Sequence, residues 1–97
     1  MFDREKFLKV LSVTGLTKVE SAQVFGISRA TLYLWTKDGS PHERFLLPMV
    51  NKACDALLLA VEKRLLPLPR KLTREERANK VARMAEKLRS MPAAPNA

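Results

Sequence analysis

One cysteine, Cys54, and one histidine, His42, are all that the 97 residues offer to a disulfide or a transition metal. A single thiol closes no internal disulfide, and one Cys with one His falls short of any zinc-ligand set, so no metal and no cofactor are expected. Cys54 falls in the apolar rhythm VNKACDALLLAV and reads as a small buried hydrophobe rather than a reactive thiol. His42, beside Pro41 at a helix start, reads as a solvated or capping side chain. Long apolar runs are missing too. ALLLAV at 56–61 is far short of the roughly 20 residues that cross a bilayer, and MFDREKFLKV has acids where a secretion signal needs a basic and then an apolar opening. A cytoplasmic protein with no membrane partner is expected. Nor is there a nucleophile paired with a base, a carboxylate cluster or a phosphate-cradling loop, and the short chain leaves little room for a shaped pocket, which argues against an enzyme.

Acidic residues are scarce relative to basic ones: ten Asp and Glu against 18 Lys and Arg leave a net charge of +8. That balance suits a chain that meets a polyanion. The excess is uneven, with ten basic and seven acidic side chains in residues 1–66 and eight against three in residues 67–97. Charge alone does not separate DNA, RNA and anionic membrane; a motif has to.

What is present is helical punctuation. Asp3 is placed as an N-cap with Phe2 stapled on Phe7, and Phe7, Leu8 and Leu11 give a first helix its apolar side before Gly15 stops it. Thr17-Lys18-Val19-Glu20 fits a capping box that starts a second helix running to about Phe25, where Gly26 supplies a positive φ. Ser28 caps a third helix through Lys37, closed by KDGS. Ser40-Pro41-His42-Glu43 fits another capping box, so a fourth helix is expected to start at 41 and to be kinked or split by Pro48. From Met49 to Leu66 the apolar residues cover roughly 200° of the helical wheel, against about 100° for an ordinary surface helix. PLP at 67–69 is a stiff joint, and Thr73-Arg74-Glu75-Glu76 starts a last helix with Ala78, Val81, Ala82, Met84, Ala85 and Leu88 on one side.

The expected architecture is all-α: a compact helix-turn-helix domain of about five helices over residues 1–66, with the motif at 17–37 and the apolar helix at 49–66. A linker and C-terminal amphipathic helix follow over 67–91, serving dimerisation or core capping, and 92–97 form a disordered tail.

In VFGISRATLYLW, residues 24–35, one helix ends at Gly26 and the next is capped at once by Ser28, a tight helix-turn-helix. At about 100° per residue, Leu32 and Trp35 share one side of the third helix, set to lock against Ala22, Val19 and Ile27, with Thr31 and Thr36 at its margins. Arg29, Ala30, Tyr33, Leu34 and Lys37 share the other side and stay free. Such a face suits the major groove, where Arg bonds guanine edges and Ala or Leu touches thymine methyls. Tyr33 is either a surface aromatic without a task or a phosphate contact through its hydroxyl. Thr17 and Lys18 start the second helix, whose free N–H groups favour a phosphate; Ser28 serves first as a cap, and Thr31 is counted with it among the candidate DNA contacts. Glycine-turned helix hairpins also occur in proteins that touch no DNA, and the basic charge beside this one tips the balance.

Ala22 four residues before Gly26, Ile27 just after it, Leu32 six after and Trp35 nine after resemble the helix-turn-helix signature of Cro-type and phage-repressor DNA-binding domains, over Lys18 to Lys37. GISRATLYLW is also similar to the turn and recognition helix of transposase and resolvase segments. The resemblance implies double-stranded DNA as partner, with base-facing positions at Ser28, Arg29, Ala30, Tyr33, Leu34 and Lys37. Ser21, where an apolar residue is usual, and Leu34, where a polar one is common, depart from the pattern. A small dimeric repressor on a palindromic operator is the first expectation. The alternative is a DNA-binding accessory of a mobile element, such as a transposase recognition part, an excision factor or a packaging subunit. One short helix reads few base pairs, so a homodimer is expected through 49–66 and the C-terminal helix, which either covers that surface in cis or crosses to the partner.

Overall fold

The computed structural model describes residues 2–42, 44 and 46–90, and its regular elements are five α-helices: α1 Arg4–Val13, α2 Lys18–Phe25, α3 Arg29–Lys37, α4 Leu47–Glu62 and α5 Arg74–Ser90. The fold is all-α. Each of the first three helices begins at a residue whose side chain satisfies a backbone N–H that the first turn leaves without a partner. Asp3 accepts from Lys6 N at 3.0 Å, and Ser28 accepts from Thr31 N at 3.1 Å. Thr17 and Glu20 close the capping box in both directions, at 3.1 and 2.8 Å. Thr73 and Glu76 do the same for α5. Gly26, at φ 72°, takes the left-handed conformation that turns α2 into α3.

The core is built around α1. Phe7 lies 5.4 Å from Phe2, 5.2 Å from Phe25 and 6.0 Å from Trp35, ring centroid to centroid, the last pair edge-on. Val10 from α1, Ala22 and Val24 from α2, Leu32 from α3, Val50, Cys54 and Leu57 from α4, Leu66, and Val81 from α5 complete the cluster. Cys54 is buried, and loss of water around it pushes its thiol up to about 11. Lys6 of α1 forms an ion pair with Asp55 of α4, adding a surface tie between two packed helices. α5 packs chiefly on α2, where Arg77 donates to both Glu20 oxygens, at 2.7 and 2.9 Å, and to Gly15 O at 3.2 Å.

Several expectations need correcting. None of the described residues between 38 and 46 is helical, so the helix expected from Pro41 is not seen: Leu46 N and Leu47 N both donate to His42 O, and α4 begins at Leu47. Pro48 therefore occupies the first turn, where its missing N–H costs nothing, and does not kink a helix already under way. The described residues thus form four helices before α5. Glu43, the acid of the expected capping box, lies outside the described residues, as does the 92–97 tail. α4 stops at Glu62 rather than Leu66. Leu65 N donates to Ala60 O and Arg64 N to Val61 O, with Arg64 at φ 63°, the Schellman arrangement with an arginine where glycine is usual. Leu8 on α1, Val19 on α2, and Ala78 and Ala82 on α5 are exposed. The periodic pattern places them at the flanks of their helices, and the neighbouring helix lies on the other flank.

Candidate nucleic-acid interface

The third helix has two unlike sides, and tertiary packing decides which is which. Leu32 and Trp35 are 3% and 4% exposed, held against Phe7, Ala22 and Ile27. Val19, expected among their neighbours, is 54% exposed and takes no part. On the opposite side Arg29, Ala30 and Lys37 are exposed, and Tyr33 and Leu34 are 52% and 53% exposed. Lys37 Nζ sits 4.6 Å from the centroid of the Tyr33 ring, so the cation and the aromatic are presented together.

Arg29, Ala30 and Tyr33 share a surface groove with Lys18 of α2 and with Leu8 and Ser12 of α1. Leu34 and Lys37 lie outside that groove, further around α3. Lys18 and Thr17 are both exposed at the start of α2. The Thr17 hydroxyl accepts from Glu20 N, and the Ser28 hydroxyl accepts from Thr31 N while donating to Thr31 Oγ1 at 3.0 Å. Ser28 and Thr31 are thus engaged with each other. Thr31 is half-buried, which leaves the outward side of α3 to its other residues.

Two arginines that fix these helices escaped the sequence. Arg4, in the first turn of α1, donates from Nε to Trp35 O at 3.1 Å and from Nη2 to Gly39 O, so a cation satisfies carbonyls at the C-terminal end of α3. Arg77 reaches from α5 to the capping box of α2. Its hydrogen bonds hold the Glu20 carboxyl below the usual carboxylate range, helped by the Thr17 N–H. Both contacts span more than thirty residues of sequence, and nothing local in the chain signals them. Ser21, the departure from the helix-turn-helix pattern, is buried. On the α2 wheel it falls with Glu20 and Val24, the flank that meets α5, and a small side chain there lets α5 approach.

Among the described residues no three His, Cys, Asp or Glu side chains come together as a metal site, and no helix is long and apolar enough to cross a membrane. Compared with family models, with curated proteins and with solved structures, the chain matches none.

Proposed function

We propose that this chain is a sequence-specific DNA-binding transcriptional regulator that lays α3 in the major groove, most simply as a small homodimeric repressor on a palindromic operator. The two-sidedness of α3 carries the proposal: Leu32 and Trp35 are spent on the core, so Arg29, Ala30, Tyr33, Leu34 and Lys37 are left on the exposed side of the helix. A guanidinium at the start of that face matches the paired acceptors of guanine, while alanine and leucine match thymine methyl groups. Lys18, exposed in the first turn of α2, flanks it with charge for a phosphate. The resemblance of residues 18–37 to Cro-type domains points the same way. Action is by occupancy and requires no cofactor.

The homodimer is proposed through the exposed side of α4 around Leu59, within the 49–66 segment. Leu59 is 48% exposed there, between Asp55, which is paired with Lys6, and Glu62, and an apolar side chain so placed can pack on its own copy across a two-fold axis. The C-terminal helix packs on α2 of its own chain, so its part in the dimer is to hold the module that α4 pairs.

Two substitutions test the role of α3. Arg29→Ala should cost about 1–3 kcal/mol on the selected site and relax preference at one base position. Lys18→Ala should weaken specific and random DNA alike and lower the salt slope by about one phosphate contact. Equal losses on specific and random DNA for Arg29→Ala would reduce α3 to a backbone contact.

A further inference from the structure

Away from the recognition face, the surface sinks between α4 and α5. α5 is fastened to α2 and stands off from α4, leaving two hollows of about 210 and 340 Å3 that share Leu88 and together form a trench. Along α4 it is lined by Met49 and Val50 and then, on successive turns, by the small side chains Ala53, Ala56 and Ala60, and Met84 and Leu88 line the α5 wall. Trp35 and the Val24–Ile27 turn line the first hollow, and Leu65, 65% exposed, lines the second. Every charged residue along it is a cation: Lys52 and Arg89 at one hollow, Lys80, Arg83 and Lys87 at the other. The last three fall at i, i+3 and i+7 on one ridge of α5; Lys80 has the exposed Glu76 one turn before it, and neither close ion pair of the described residues involves the three.

The charge pattern selects the occupant. A second copy docking trench to trench would bring the same cations face to face, which like-charge repulsion opposes. A DNA backbone would satisfy the cations but gain nothing from a concave floor of Ala, Met and Leu, which it would leave wet. A segment that fits must drop apolar side chains into the trench and set carboxylates against its rim. An amphipathic helix with bulky apolar residues at i, i+3 or i+4 and i+7, flanked by Asp and Glu, does both, and the alanine wall lets it approach closely.

We propose that the trench between α4 and α5 docks an acidic amphipathic helix of a partner protein. Of α3 the trench meets only Trp35, on the side opposite Arg29 and Tyr33, so a partner there and DNA would contact opposite sides of that helix, with the Val24–Ile27 turn between them. The proposal does not depend on which DNA sequence is read.

The test is selection from a displayed library of random peptides, about four helical turns long, on the full chain and on its Lys80→Glu, Arg83→Glu, Lys87→Glu triple variant. All three side chains are exposed, and an unchanged circular dichroism spectrum checks that the variant folds. The native chain should enrich peptides with apolar residues at helical spacing and acidic flanks, and the variant should bind them at least tenfold more weakly while enriching basic flanks. In titrations with a selected peptide, methyl signals of Met84 and Leu88 should shift while that of Ala30 stays. Enrichment of acidic peptides without apolar residues, or displacement of selected peptides by random double-stranded DNA, would make the ridge a polyanion contact and overturn the proposal. So would the absence of any enrichment, or loss of self-association in the triple variant by sedimentation, since that result would give the trench to a second copy.

Discussion

Thr14 is buried at the end of α1, and its hydroxyl has no hydrogen-bond partner. A buried hydroxyl without a partner costs about 1–3 kcal/mol, whereas a methyl of the same shape costs nothing to dehydrate. Thr14→Val should therefore raise stability by about 1 kcal/mol, read as a higher urea midpoint at unchanged slope; a loss would mean that the hydroxyl has a partner in solution. At this scale the sequence was legible where a residue sits in the middle of a helical stripe. Phe7, Leu32, Trp35 and Cys54 are all buried where the helical period puts them. Leu8, Val19 and Ala82 sit at stripe margins, and which margin is covered depends on where the next helix lies, which local pattern does not encode.

Between residue and fold, the helix starts were the most legible features, because a cap is local chemistry: Asp3, Thr17, Ser28 and Thr73 each find a backbone N–H three residues on. The end of α4 was not, since no glycine marks it. Arg64 holds the left-handed position at φ 63°, a conformation in which a side chain beyond glycine costs roughly 1–2 kcal/mol. Arg64→Gly should raise the melting temperature, with a gain of about 1 kcal/mol, the relief of strain being partly offset by glycine's larger entropy when unfolded. A lower melting temperature would show that the strain is compensated by contacts of the arginine.

The contact between α5 and α2 sets a pH dependence. Arg77 lowers the Glu20 carboxyl from its ordinary value of 4.5. A carboxyl whose folded value is depressed stabilises the fold fully above its unfolded value, and that contribution fades as pH falls through the folded one. The native chain should lose stability below about pH 4.5. Arg77→Ala should cost about 1–2 kcal/mol at neutral pH, after allowance for partial exposure, and should flatten the acid limb. Parallel stability–pH curves for the two proteins would mean that the bidentate contact does not persist in solution.

For the whole molecule, caps, punctuation and helical periodicity gave the all-α class and the tight turn between α2 and α3, while the assembly of α5 on α2 and the trench it leaves came only from long-range contacts. The excess of cations lies mostly in residues 67–97, yet the proposed base-reading face lies on α3. That separation fits two proposed roles for positive charge: a modest amount at the proposed DNA face and a ridge on α5 for the proposed carboxylate-bearing partner. A repressor and a mobile-element accessory share the same contact residues and differ in symmetry. A dimer through α4 imposes a two-fold site, whereas an accessory bound at an element's end imposes none.

Selection of bound sequences from a random double-stranded DNA pool tests the central claim most directly. A regulator that reads the major groove with α3 yields an enriched motif made of two inverted half-sites about one helical turn apart, and Arg29→Ala loses preference at one position of each half. A pool that stays random, or a motif that Arg29→Ala leaves unchanged, would contradict it.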